Sequence, residues 1–134
     1  MCTSEKTLKT NFQQHFAGMI FLALFGAVYE AFSHGVYSYF MIYAFAIPLL
    51  LGVTLYAILL AKKKYPSLVF LRLWNAGTVV LSWGSVYAGV LEIYGTTNRL
   101  MIVYPIAGGL LLASGLISAF VKSRQFIGPP PAAE

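Results

Sequence analysis

The chain has 134 residues, of which 59% are hydrophobic and 10% are charged, and its nine Lys and Arg against four Asp and Glu give a net charge of +5. Soluble domains are usually about 25% charged, so too little polar surface is present to cover a water-facing globule, and the composition argues against a soluble domain. One cysteine, Cys2, excludes an internal disulfide or a dithiol redox pair and indicates a free cytoplasmic thiol. We therefore predict an all-α membrane protein, because a helix satisfies its own backbone in lipid.

The apolar residues form four runs, each close to the ~20 residues that a helix needs to cross a hydrocarbon core. The runs lie at 14–33, 38–61, 70–94 and 100–121. They predict a four-transmembrane-helix bundle made of two helical hairpins. The predicted organisation is an amino-terminal segment 1–13, a first hairpin 14–61, a loop 62–69, a second hairpin 70–121 and a Pro-rich tail 122–134.

Basic residues predict how the bundle is oriented, because Lys and Arg are in excess on the cytoplasmic side of membrane proteins. One set of helix ends carries Lys6, Lys9, Lys62, Lys63, Lys64, Arg72, Lys122 and Arg124. The other set carries Arg99. We predict a multi-pass protein of the cell membrane with both termini in the cytoplasm. The net positive charge then indicates topology and contact with membrane lipids, and we predict no nucleic-acid partner.

A short phrase occurs twice in the chain. A shift of 58 residues places FGAVY, residues 25–29, on WGSVY, residues 83–87. With three residues inserted in the second outer loop, Tyr43 falls on Tyr104. The match continues through both helices of each hairpin, so we predict an internal duplication. The two similar hairpins would be related by a pseudo-twofold axis along the membrane normal, as in parallel-repeat transporters.

Each copy of the phrase is followed by an acid within an apolar run, where a carboxylate is costly and usually functional. Glu30 and His34 share one face of the first helix, and Glu92 is the counterpart of His34 in the repeat. Small residues on both helices predict that the first and third helices cross there. The three side chains would then form an outward-facing, proton-titrating site. Three alternatives remain open: Glu92 pairs with Arg99 at the interface, Glu30 is a buried hydrogen-bonding partner, or His34 is a loop residue.

Five aromatic residues lie deeper than the interfacial belts and complete the predicted ligand-binding set. They are Tyr29, Tyr43, Tyr87, Tyr104 and Trp83. With the two carboxylates they could line a cage for an organic cation. Ordinary packing is the competing interpretation for most of them.

The chain carries no recognisable catalytic or phosphate-binding motif, so we predict no enzyme activity, no catalytic residues, no cofactor and no metal site. The leading hypothesis is a small membrane protein that binds or transports a small solute through an outward-facing site between helices 1 and 3. Four helices leave little room for an aqueous path, so a transporter would need a homo-oligomer. The alternative hypothesis is a non-transporting accessory or assembly subunit of a larger membrane complex.

Overall fold

The computed structural model describes the backbone of residues 3–125 and the side chains of residues 3–122. The predictions made for the thiol of Cys2 and for the Pro-rich end of the chain lie outside the described residues. In chain order the elements are α1 (Thr3–Phe32), α2 (Tyr39–Ile42), a π-helix (Pro48–Thr54), α3 (Leu55–Ala61), α4 (Leu68–Ile93), a 3-10 turn (Arg99–Ile102) and α5 (Val103–Gln125). The described part of the chain is helical, and it contains no strand.

Three of these helical stretches are long and apolar enough to cross a membrane: Thr3–Phe32, Leu68–Ile93 and Arg99–Lys122. The prediction of a membrane helical bundle is therefore supported for three spans. The fourth predicted span, 38–61, contains only a shorter apolar helix, Pro48–Ala61.

Helix α1 begins at Thr3, well before the predicted start at residue 14. Its first turns are polar but carry local helix-stabilising contacts, among them an ion pair of 2.7 Å between Lys9 Nζ and Glu5 Oε1 one turn apart. The helix has 30 residues, which corresponds to a length of about 45 Å at 1.5 Å per residue. A hydrocarbon core is about 30 Å thick, so a vertical α1 extends beyond it.

The chain from Tyr39 to Ala61 is helical but interrupted. Turns at residues 43–45 follow α2, and a π-helix occupies Pro48–Thr54 before α3 begins. Pro48 has no N–H to donate, so the regular α-helical ladder cannot continue through it. Two side chains bond carbonyls within the π-helix: Thr54 Oγ1 donates to Leu49 O over 2.9 Å, and Trp74 Nε1 donates to Leu51 O over 2.6 Å.

Helices α4 and α5 pack along each other and meet at two glycines. A Cβ on Gly77 would lie 3.0 Å from Gly108 O, and a Cβ on Gly108 would lie 3.2 Å from Gly77 O. Small residues at such a crossing let membrane helices approach closely.

Helix α1 packs against α2, the π-helix and α3, and α4 contacts α2 and the π-helix. The predicted close crossing of the first and third helices is wrong: within the described residues no Cα of α1 comes within 8 Å of a Cα of α4. The small residues near the repeated phrase serve another contact. Gly26 and Gly89 both pack against Met41, with hypothetical Cβ atoms 3.0 Å from its carbonyl oxygen and 2.9 Å from its backbone nitrogen, respectively. Helix α2 therefore separates the two helices here.

Buried apolar residues form two clusters at opposite ends of the bundle. One contains Leu8, Tyr56, Phe70 and Leu71, near the loop Lys62–Lys64, and we call this end the lysine end. The other contains Met41, Ala44 and Val86, at the opposite end, which we call the Arg99 end. Many large apolar side chains point outward along α1, α4 and α5. Such an outer surface suits a hydrocarbon environment.

The two hairpins differ in their second helices, since Tyr39–Ala61 is interrupted whereas Val103–Gln125 is one α-helix. Their glycine contacts also differ: Gly26 packs against Met41, and Gly84 packs against the Tyr104 side chain. In the proposed alignment Tyr104 corresponds to Tyr43 and not to Met41. The internal duplication therefore remains a prediction.

Candidate functional site

Glu30 and Glu92 converge on one buried serine at the Arg99 end. The Ser38 backbone N–H donates to Glu30 Oε1 over 3.0 Å, and the Ser38 hydroxyl donates to Glu92 Oε2 over 2.5 Å. Ser38 is fully buried and also caps α2. We call Glu30, Ser38 and Glu92 the carboxylate cluster. It brings together the two acids that the sequence singled out, through a loop residue that the sequence analysis missed.

The second carboxylate oxygen of Glu30 has no donor. Glu30 Oε2 is buried and is the one buried side-chain oxygen or nitrogen among the described residues without a hydrogen-bond partner. Ser38 cannot supply a donor, because its single hydroxyl proton goes to Glu92 and its N–H goes to Oε1. An unsatisfied buried acceptor costs about 1–3 kcal/mol. Glu30 Oε2 can therefore bind a proton or accept one further hydrogen bond, for example from an N–H group of a solute.

His34 does not join the carboxylate cluster in this structure. It follows the end of α1 in an exposed turn, with a left-handed φ of 55°, and Gly35 continues the turn with a φ of 89°. Its ring makes no hydrogen bond to another described residue. This placement agrees with the alternative of a loop histidine.

The five predicted aromatic residues do not surround the carboxylates as a cage. Tyr87 and Tyr104 pair with each other, with ring centroids 6.0 Å apart. Tyr43 stacks on Tyr39 and is exposed, and Trp83 projects outward with 62% of its surface exposed. Tyr29 lies against the cluster of Met41, Ala44 and Val86. Packing and surface exposure account for the placement of these aromatic residues.

A second polar cluster lies nearer the lysine end, and the sequence analysis did not identify it. His15 Nε2 lies 2.8 Å from Asn75 Oδ1, which also accepts from the Tyr56 hydroxyl over 2.5 Å. The Asn75 amide nitrogen in turn donates to Asn11 Oδ1 over 3.1 Å. We call Asn11, His15, Tyr56 and Asn75 the His15 cluster. It joins α1, α3 and α4 by side chains where the backbones of α1 and α4 do not touch.

The His15 ring is held in place by Tyr56 and Gly52. It stacks on the Tyr56 ring with centroids 5.4 Å apart, and only 8% of the residue surface is exposed. A Cβ on Gly52 would lie 2.5 Å from both Cβ and Nδ1 of His15. The π-helix therefore approaches α1 closely only because position 52 has no side chain.

Some signals for the His15 cluster were present in the sequence. Asn11 and His15 are four residues apart and share one helix face, and Asn75 is a polar residue within an apolar run. Asn11 shares a helix face with His15 because α1 begins at Thr3, and that start was not predicted. No group of three His, Cys, Asp or Glu side chains in the described part of the chain is arranged to hold a metal ion.

Comparisons of the chain with protein-family models, with curated proteins and with solved structures found no match.

Proposed function

We propose that this chain is a small multi-pass membrane protein that binds or transports a small cationic solute at the carboxylate cluster. The observation that supports this proposal is the convergence of Glu30 and Glu92 on Ser38 with Glu30 Oε2 left without a donor. Two carboxylates close together attract a cation or a proton, and an unsatisfied acceptor favours a ligand that carries N–H groups. Glu92 is exposed, which gives the cluster an approach from the Arg99 end.

The proposal includes four crossings of the cell membrane with both termini in the cytoplasm and the Arg99 end outside. The helical stretch from Tyr39 to Ala61 supplies the fourth crossing, although it is interrupted. Interrupted helices are tolerated at membrane depth where they are buried in protein, and transporters use them to build ion and substrate sites. The charge bias of the helix ends supports the orientation. The shared phrase FGAVY and WGSVY supports a duplicated hairpin as the origin of the bundle.

The test removes the charge of Glu30 and retains its shape. In lipid nanodiscs, wild-type protein should bind methylammonium in a pH-dependent manner, because protons compete for the same carboxylates. Glu30→Gln should fold normally and lose this pH-dependent binding, as measured by calorimetric titration at several pH values. Glu5→Gln is the matched control, since Glu5 lies at the lysine end and pairs with Lys9. If Glu30→Gln binds methylammonium as the wild type does at every pH, the cluster is not a solute site.

The accessory-subunit function then becomes the leading proposal, and one observation favours it. The cavities beside α2, α4 and α5 are almost wholly apolar, as in the groove of about 410 Å³ lined by residues such as Phe40, Leu81 and Met101. Such a surface could pack against another membrane helix or a second copy of this chain. Native mass spectrometry from the membrane distinguishes a homo-oligomer from a complex with other subunits.

A further inference from the structure

A cleft lies between α1 and α4 near the middle of the bundle. It has a volume of about 150 Å³ and forms where these two helices do not pack against each other. His15 and Phe21 line it from α1, Thr78, Ser82 and Trp83 from α4, and Pro48 from the π-helix. Phe21 is 60% exposed and Trp83 is 62% exposed. The cleft thus opens sideways onto the apolar surface that faces lipid.

The side-chain hydroxyls that line this cleft can accept a hydrogen bond but have no free proton to donate. Thr78 Oγ1 donates to Trp74 O over 2.9 Å, and Ser82 Oγ donates to Thr78 O over 2.8 Å. Each hydroxyl therefore has lone pairs left and no free proton. His15 is in the same condition when it is neutral: Asn75 Oδ1 only accepts, so His15 Nε2 carries the proton that bridges them, and Nδ1 has a lone pair.

Nδ1 of His15 makes no hydrogen bond to a described residue and, unlike Glu30 Oε2, it is not a fully buried atom, although His15 as a whole is buried and lines the cleft. Tyr56, from α3, is the titratable group in contact with the ring. The π-helix and α4 present apolar, amide and hydroxyl groups to it. The cleft therefore combines an acceptor-only end with an aromatic mouth.

A ligand that fits such a cleft has one hydroxyl donor and a compact apolar body, and it reaches the site from the bilayer. A cavity of about 150 Å³ is large enough for a benzene ring, and the rings of Phe21 and Trp83 at the mouth suit an aromatic body. We propose that this cleft binds the hydroxyl-bearing ring of a phenol-type molecule dissolved in the membrane. The ring hydroxyl donates to the acceptors at the His15 end, and the ring lies between α1 and α4.

This site is distinct from the carboxylate cluster, and the proposal does not rest on the function proposed for that cluster. His15 and Glu30 are fifteen residues apart on one helix, which separates them by about 22 Å along its axis. The two sites also differ in chemistry, since the carboxylate cluster attracts cations and the cleft contains no charged side chain among its lining residues.

The test uses 4-bromophenol and bromobenzene as probes, because bromine quenches tryptophan fluorescence and Trp83 stands at the mouth of the cleft. The protein is the full chain in nanodiscs at pH 8, where the phenol is still mostly neutral and an ordinary imidazole is uncharged, as the acceptor role of the His15 ring requires. We expect 4-bromophenol to quench in a saturable manner with an apparent affinity at least about fivefold higher than that of bromobenzene. A gain of this size is what one hydrogen bond of about 1 kcal/mol provides. Trp83→Phe should remove the saturable component.

Two glycine variants control for site and fold. A Cβ at Gly18 or at Gly109 meets no atom within 4 Å, so both positions have open space for a larger side chain. Gly18 lines the cleft and Gly109 does not. Gly18→Leu should fill the cleft and abolish saturable quenching, whereas Gly109→Leu should retain it. Saturable quenching that persists in Gly18→Leu, or equal apparent affinities for the two probes, would overturn the proposal.

Discussion

Replacement of Gly52 by alanine should destabilise the bundle, although alanine is the better helix former. The new methyl group would overlap the His15 ring, which is confined by Tyr56 on its other side and is almost fully buried. Overpacking of this kind costs about 1–3 kcal/mol. If the ring moves away, its hydrogen bond to Asn75 is lost as well, and in membrane proteins such a bond contributes about 0.6 kcal/mol on average.

The intrinsic preference for alanine over glycine in a helix offsets about 1 kcal/mol of this cost. The net expectation for Gly52→Ala is a loss of about 0.5–2.5 kcal/mol in the free energy of unfolding. The assay is unfolding by sodium dodecyl sulfate in mixed micelles, followed by far-ultraviolet circular dichroism. Gly109→Ala is the matched control, because its Cβ meets open space. It should be as stable as the wild type or more so. If the two variants have equal stability, the contact between Gly52 and His15 does not constrain the bundle.

Three further predictions concern the hydrogen bonds and the topology. Asn75→Leu removes the residue that connects Asn11, His15 and Tyr56, so it should lower the free energy of unfolding by about 1–3 kcal/mol in the same assay; wild-type stability would show that the His15 cluster contributes nothing. Trp74→Phe removes the bond to Leu51 O and should lower the free energy of unfolding by about 0.5–1.5 kcal/mol. Trp83→Phe, at an exposed position, should leave it nearly unchanged. A larger loss for Trp83→Phe than for Trp74→Phe would contradict the role given to Trp74. Single cysteines at position 97, but not at position 63, should react with an impermeant thiol reagent in intact cells once Cys2 is replaced, and labelling at position 63 would refute the orientation.

The ends of the apolar helices follow closely from the sequence where apolar composition decides them. Helix α4 spans Leu68–Ile93 against a predicted 70–94, and α1 ends at Phe32 against a predicted 33. The start of α1 was missed because hydropathy marks where a helix enters lipid and not where the helix begins. Residues 3–13 are mostly polar, yet their local contacts and the burial of Leu8 continue the helix.

The interruption around Pro48 could not be derived from composition. Proline is tolerated in membrane helices when neighbouring groups bond the freed backbone, and whether such a group exists depends on tertiary packing. Here Trp74, which is distant in sequence, donates to Leu51 O. The sequence shows Pro48 and Gly52, but it does not show which residue of another helix will face them.

The two acids of the candidate site could be predicted from the sequence, but the residue that joins them could not. Glu30 and Glu92 attract attention as carboxylates in apolar runs, and the structure brings them together. Ser38, which joins them, lies just outside a helix and looks like ordinary loop composition. His34 was expected at the site because of its helical spacing from Glu30, but α1 ends at Phe32, so that spacing no longer applies at position 34.

The π-helix also sets the direction in which the side chains of α3 point. In a regular α-helix, with about 100° per residue, Pro48 and Tyr56 would point about 80° apart. A π-turn takes up one extra residue, and with that residue discounted the two positions differ by only about 20°, which agrees with the burial of both. The segment Pro48–Thr54 is therefore a place where chain length can change by one residue without rotating α3. Deletion of the exposed Leu50 would leave Tyr56 directed at Asn75, so insertions and deletions during evolution of this chain should be tolerated here sooner than in α4 or α5.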